Sequence, residues 1–398
     1  MPDPIEFVPD RWANGGEVVG RWQGKAVFVP DALPGERIRV RIVREKSSWA
    51  RGELLEVLEP SPMRTAAPCP AFGSCGGCQW QHVSYDAQLE AKRQIVQGQL
   101  EHLGGVDDPM VRETVAPGAP FGYRNRMTFH VAGDHLSMYR RRSRDPVAIQ
   151  QCHLLVPALT DLFARLDPVE GVRQVTIRSG TRTGDLLAVV VGDIPSGAEA
   201  WGAAVARSGR GRLRAVFGEP FIREEVAGAR FRISGEAFFQ VNTDGAEALV
   251  RLVGEALDPR SDDVLIDGYS GVGLFGATIG RKVRKVIAVE SDARALGDLR
   301  HNLGGIQAQV VGHRFEAGVG GAWDIAIVDP PRVGLGKGGV DVVVSGGPRA
   351  VAYVSCDPAS LARDSRYLAD HGYRLQWATP VDLFPQTFHI ETVAVFTR

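Results

Sequence analysis

The chain has 398 residues, 44% hydrophobic and 23% charged, with a formal net charge of -1. This is ordinary globular composition, too long for one core and suggestive of two or three domains. No apolar run approaches the roughly 18 residues that span a bilayer, and Met1-Pro2-Asp3-Pro4 lacks the basic flank and apolar stretch of a signal peptide. A cytoplasmic protein with no membrane association is expected, and no obligate protein partner is evident.

Residues 1–59 read as short strands. Ala26-Val27-Phe28-Val29 is one, followed by the turn Leu33-Pro34-Gly35-Glu36. Arg37-Ile38-Arg39-Val40-Arg41-Ile42-Val43 then alternates charged and apolar residues with period two, and Glu53 to Leu58 closes the set. A small β-barrel of oligonucleotide-binding type fits this pattern. Its Arg37, Arg39 and Arg41 face would suit phosphates, or would simply be a solvated strand face. A second basic cluster falls in residues 124–144, with Arg124, Arg126, Arg140, Arg141, Arg142 and Arg144 against Asp134. Local patches of this kind bind polyanions even when total charge is near zero.

After the linker Pro60-Ser61-Pro62 comes Cys69, Cys75 and Cys78, spaced C-x5-C-x2-C, with Cys152 further on. Cys356 completes a total of five. An odd count in a chain of this type argues against a disulfide framework. Four thiolates suit a [4Fe-4S] cluster or zinc, and spacing alone does not choose. A helix is predicted over 85–103 and strands over 175–178 and 186–191, giving a mixed α+β segment over 60–235.

From about 236 the pattern changes to helices alternating with the apolar strands 264–266, 286–289, 325–328 and 351–354. That alternation predicts a doubly wound parallel sheet of Rossmann type. After the first strand, Asp267-Gly268-Tyr269-Ser270-Gly271-Val272-Gly273-Leu274-Phe275-Gly276 forms a glycine-rich turn that lets a ligand approach the backbone. Glu290 ends the second strand, about 20 residues on, where an acid takes ribose hydroxyls. The third strand ends in Asp329-Pro330-Pro331-Arg332 and the fourth in Ser355-Cys356-Asp357-Pro358. A hydride-transfer enzyme has no evident use for that turn and thiol together; a pyrimidine methyltransferase does.

Taken together, Cys69 to His82, Tyr123-Arg124-Asn125-Arg126, Phe238-Phe239-Gln240-Val241-Asn242, Asp267 to Phe275, Asp329 to Leu335, Tyr353 to Asp364 and Asp382 to Val395 resemble the RNA uracil-5-methyltransferase family, in its iron–sulfur branch. The resemblance implies three segments: a TRAM barrel over 1–59, a central domain with the [4Fe-4S] cysteines over 60–235, and a class I S-adenosylmethionine-dependent domain over 236–398. It implies Cys356 as nucleophile and Glu391 as general base. Gln240, Asp267, Tyr269, Gly271, Gly273, Leu274, Glu290 and Asp329 would bind S-adenosyl-L-methionine, and Cys69, Cys75, Cys78 and Cys152 would hold the cluster. Arg37, Arg39, Arg41, Arg124, Arg126, Arg332 and His389, which is expected two residues before Glu391 on one strand face, are the candidate RNA contacts. The implied substrate is 23S ribosomal RNA, with the transfer-RNA T-loop as runner-up. One departure stands out: the family usually has Asn where this chain has Asp357, and a carboxylate beside the thiol would tend to raise its pKa.

Overall fold

A computed structural model describes residues 3–166, 171–209 and 212–398. None of its helices is long and apolar enough to cross a membrane.

The N-terminal strands form one six-stranded sheet, in the order Ile5–Phe7, Arg37–Glu45, Trp49–Glu59, Lys25–Val29, Val18–Trp22, Arg11–Trp12. Period-two patterning dictates its two faces. Ile38 and Val40 are buried with Val18, Val27 and Val29, whereas Arg37, Arg39 and Arg41 point outward. The arginine face is charge-balanced: Arg37 pairs with Glu6 and Glu59, Arg39 with Glu6 and Glu56, and Arg41 with Glu53. Exposed pairs are worth only about 0–1 kcal/mol each, so they contribute little to stability.

A second, seven-stranded sheet runs in the order Arg212–Phe217, Ala204–Gly209, Leu186–Gly192, Val172–Ser179, Arg126–Ala132, His135–Tyr139, Pro146–Ala148. Helix Pro157–Arg165 covers it, burying Leu159 and Leu162 against Phe129, Val175 and Val190. The helix expected over 85–103 is Tyr85–His102, and it packs on helix Pro358–Asp370 near the C-terminus.

The C-terminal sheet has the order Ala308–Val311, Lys285–Val289, Val264–Gly268, Ile325–Val328, Ala350–Ser355, Glu391–Thr397, Arg374–Val381. Its first five strands are parallel, and strand order reverses about Val264–Gly268, so ligand space opens at the carboxyl ends there. The four strands expected from the sequence, 264–266, 286–289, 325–328 and 351–354, are all parallel, and the sheet departs from that pattern only beyond them. Glu391–Thr397 runs antiparallel, inserted between Ala350–Ser355 and Arg374–Val381. That insertion matters for chemistry. Ser355 pairs with Thr392, so Cys356 and Glu391 occupy the next step of the register. A parallel strand would have carried Glu391 to the opposite end of the sheet.

Candidate active site

A cavity of about 690 Å3 opens at the carboxyl ends of these strands. Tyr269, Gly271, Glu290, Asp329, Arg332, Cys356, His389 and Glu391 line it. Gln240, Arg124 and all four of Cys69, Cys75, Cys78 and Cys152 share the same wall. The structure therefore brings most of the sequence-predicted site residues to one space.

The glycine-rich turn is shaped by its backbone. Gly273 has φ +95°, and a Cβ there would sit 2.9 Å from Leu299. The φ is one that L side chains rarely adopt, so a side chain there would be strained whatever the space. Glu290 fixes the turn from the neighbouring strand end: one carboxylate oxygen accepts from Gly271 N at 2.7 Å, the other from Ser291 N and Asp292 N at 2.7 and 2.6 Å. Asp267 stands behind the turn rather than on the cavity wall. Its Oδ2 accepts from Gly276 N at 3.0 Å, while Oδ1 is buried without a partner. Burial pushes its carboxyl up to about 7, against the pull of that amide. Tyr269, at φ +62°, donates to Glu316 at 2.8 Å and packs on Phe315. Gln240 is buried, and its carbonyl accepts from Asn125 at 3.3 Å.

Cys356 occupies the turn between strand and helix. Asp357 is the N-cap of helix Pro358–Asp370, accepting from Ser360 N at 2.7 Å, with Pro358 opening the first turn. Asn and Asp cap helices about equally well. The departure at 357 therefore preserves the local fold, and the helix N-terminus offsets the added charge. Burial, then Glu391 and Asp329, push the Cys356 thiol up to about 12; Arg332 pulls it down, and Asp357 is the smallest contributor.

Glu391 is 3% exposed and its Oε1 has no hydrogen-bond partner. Burial and then Asp329 raise its pKa, opposed by Arg332, and burial likewise raises Asp329. An orphaned carboxylate atom buried on a cavity wall costs free energy unless a ligand uses it. His389 is not on a strand face with Glu391. It lies in the irregular segment 382–390, which turns at Gln386 (φ +69°) before the strand begins at Glu391. Its imidazole is pushed down to about 4 by burial, then by Arg332, so it stays neutral, 3.4 Å from Arg332.

Sequence reasoning assigned no role to the residues that brace this loop. Gln88, on the long helix, donates to Gln386 Oε1, Trp80 O and Val83 O and accepts from Gln386 N. Lys92 and Asp382 form an ion pair at 2.5 Å with both side chains 0% exposed. Asp364, fully buried, accepts from Leu335 N, Gly336 N, Tyr353 Oη and Arg363, tying the Asp-Pro-Pro-Arg loop to the helix after Cys356. Asp364 and Asp382 lie at the ends of motif segments but carried no role there, and no local signal marks Gln88 or Lys92. Phe238, 58% exposed at the cavity wall, was visible only as part of a motif.

Arg124 donates to the carbonyl of Arg126, whose own guanidinium is largely buried and has an unpartnered Nε. The cysteines are half-buried; Cys75 Sγ accepts from Gly77 N, and burial pushes Cys78 up to about 12. Four soft donors on one wall suit iron or zinc in kind. Among the described residues, however, no three His, Cys, Asp or Glu side chains are gathered at metal-binding spacing.

Residues 8–55 match the TRAM domain family, and residues 322–398 match the family described as tRNA (Uracil-5-)-methyltransferase. An RNA methyltransferase of Thermosynechococcus vestitus is 36% identical over 99% of this chain and 98% of its own. One from Gloeobacter violaceus is 35% identical over 97% and 94%. The crystal structure of a Pyrococcus abyssi tRNA (uracil-54, C5)-methyltransferase, in complex with S-adenosyl-L-homocysteine, superposes with a TM-score of 0.79 at 26% identity, covering 99% of this chain and all of the other. With a TRAM domain of strands ahead of an α/β methyltransferase fold, the chain belongs to the RNA uracil-5-methyltransferase family.

Proposed function

We propose that this chain methylates carbon 5 of a uridine in RNA, with Cys356 as covalent nucleophile and Glu391 as base. The observation that carries the reading is the antiparallel register, which sets a half-buried thiol beside a buried, unpartnered carboxylate at the mouth of the cofactor-binding turn. S-adenosylmethionine supplies an electrophilic methyl group on a sulfonium. Glu290, the Gly271 turn and Tyr269 would hold its adenosine end, and Asp329 the end facing the thiol.

Carbon 5 of uracil is a weak nucleophile. Addition of the Cys356 sulfur, as thiolate, at carbon 6 places electron density on carbon 5, which takes the methyl carbon as the sulfonium–methyl bond breaks and its electron pair leaves with the sulfur as a neutral thioether. Carbon 5 now carries both a methyl group and a proton. Glu391 removes that proton, the carbon 5–carbon 6 double bond re-forms and the sulfur leaves as thiolate. Burial suits Glu391 to this work, because a carboxylate with a raised pKa is a stronger base. The uridine must leave its stack to reach the cavity. Arg332 is the compensating cation, opposing the rise at both Cys356 and Glu391, and His389 beside it contributes a neutral ring.

Cys69, Cys75, Cys78 and Cys152 would hold the [4Fe-4S] cluster, or zinc; the role proposed is structural, and no catalytic step passes through it. Iron, zinc and sulfide content of freshly purified protein distinguishes the two.

For the substrate there are two readings. The resemblance to the iron–sulfur, TRAM-bearing branch favours 23S ribosomal RNA. The end-to-end likeness to the Pyrococcus enzyme favours transfer RNA. Mapping 5-methyluridine in both RNAs of a deletion strain decides between them. The chemistry itself is tested with RNA carrying 5-fluorouridine, whose fluorine blocks the proton removal. A stable protein–RNA adduct that disappears with Cys356→Ala is expected; an adduct unaffected by that substitution would sink the assignment.

A further inference from the structure

A second cavity, of about 330 Å3, adjoins the first between the cysteine loop, the turn 139–142 and Phe388. Gly76, Gly77, Gln79 and Met138 line both, and Phe388 immediately precedes His389 of the main cavity. The two spaces are therefore neighbours along one surface. Tyr139 stacks on His130 with ring centroids 4.0 Å apart and planes at 24°, and Tyr139 is 37% exposed. The pair comes from adjacent strands of the central sheet, so its position is set by the sheet and not by a mobile loop. The wall across from the cysteine loop is equally fixed: Gly76 N donates to Tyr139 O at 2.9 Å. Arg140, Arg141 and Arg142 follow on the same rim. Arg141 and Arg142 reach Asp31 and Glu17 of the N-terminal strand unit, at 2.8 and 3.0 Å. Arg140 is exposed, and among the described residues no carboxylate pairs with it.

We propose that this groove is a subsite for the single-stranded nucleotide flanking the target uridine: its base stacks on Tyr139 and its phosphate rests against Arg140. The inference builds on the RNA reading of the main cavity. Extruding a base into that cavity strips its neighbour of a stacking partner, and an aromatic platform backed by a second ring restores one without regard to sequence. A guanidinium beside it meets the phosphate that must follow. Duplex RNA does not fit the role, because A-form stems keep their bases stacked inside and offer proteins mainly backbone and minor groove.

The test is the affinity of the full-length protein for fluorescein-labelled dodecauridylate, read by anisotropy over a range of salt. Tyr139→Ala should weaken binding at least fivefold, while Tyr139→Phe should stay within twofold of wild type. Arg140→Ala should reduce the slope of log affinity against log salt by about 0.7, the value for one phosphate contact on a single strand. Both side chains are at the surface, so the variants should fold, and the Arg140 measurement stands alone if one does not. Wild-type affinity and salt slope in both alanine variants would overturn the subsite. Formation of the 5-fluorouridine adduct by the wild-type enzyme reports separately on the catalytic reading. An adduct with unchanged variant affinities removes the groove alone; no adduct removes the reading on which it rests.

Discussion

Replacing Glu391 by Gln should make the Cys356 thiol more reactive and the enzyme less active, and these opposite signs separate electrostatics from chemistry. Burial, then Glu391 and Asp329, lift the thiol from 9.0 to about 12. Each unit is a factor of ten in thiolate, so the rise of about three units (12 − 9) leaves roughly a thousandfold less thiolate near pH 8 than an exposed cysteine has. Glu391 is the second cause, after burial. A charge within 4–6 Å typically moves a pKa by about 1–3 units. Because burial dominates here, about one unit is expected for its removal. Alkylation by iodoacetamide between pH 7 and 10, quantified on the peptide containing Cys356, measures this without interference from the other thiols. Below the thiol pKa the rate rises about tenfold per pH unit, so the variant's profile should shift to lower pH by about one unit. Methylation should fall by about a hundredfold or more, the usual worth of a general base, with the RNA adduct accumulating. Alkylation that is unchanged or slower in Glu391→Gln would refute the coupling of the two side chains.

Cys356→Ala should abolish methylation while titration calorimetry with S-adenosylhomocysteine gives nearly wild-type affinity; loss of both would indicate a packing role. Asp364→Ala strands the amides of Leu335 and Gly336 and the hydroxyl of Tyr353. Buried donors left unpaired cost roughly 1–3 kcal/mol each before relaxation, so the urea midpoint should drop clearly. An unchanged midpoint would mean the loop finds other acceptors. Lys92→Met alone leaves Asp382 charged and buried, at a cost of about 3–5 kcal/mol, whereas Lys92→Met with Asp382→Leu should recover most of it; additive losses in thermal melts would contradict this. Burial pushes the Asp267 carboxyl up to about 7, well above the ordinary aspartate value of about 3.9. The folded state then binds more protons than the unfolded state, so this group's contribution is full below about pH 4 and is lost as pH rises to 7. Asp267→Asn should flatten the fall in stability across that window, and an identical slope in the variant would remove the assignment.

What could be read in the sequence were the places where chemistry meets strand ends. Asp267, Glu290, Asp329 and Cys356 each follow an apolar run of parallel-strand type, and in such a sheet those positions converge whatever the intervening helices do. The alternation Arg37 to Val43 likewise dictated its own faces, though not that Glu6, Glu53, Glu56 and Glu59 would neutralise the arginines. The segment before Glu391 misled because apolar residues there mimic a strand. They pack as a turn instead, held by Gln386 in a left-handed conformation and by Gln88 from a helix 298 residues away. No window of sequence contains both partners of such a contact, nor those of Lys92 with Asp382, 290 residues apart.

The same limit explains why the proposed base is harder to foresee than the proposed nucleophile. Cys356 reaches the site by local rules: a buried strand, a cap, a helix. Glu391 reaches it only because its strand inserts antiparallel between two others, a choice made by the packing of Val393, Val395 and Phe396 inside the sheet rather than by anything at position 391. Slipping that strand by one residue would turn Glu391 to the other face of the sheet and bring Thr392 toward the cavity. The proposed catalytic pair is thus a property of strand register, and the long-range contacts of Gln88, Lys92 and Asp364 hold the loops beside it.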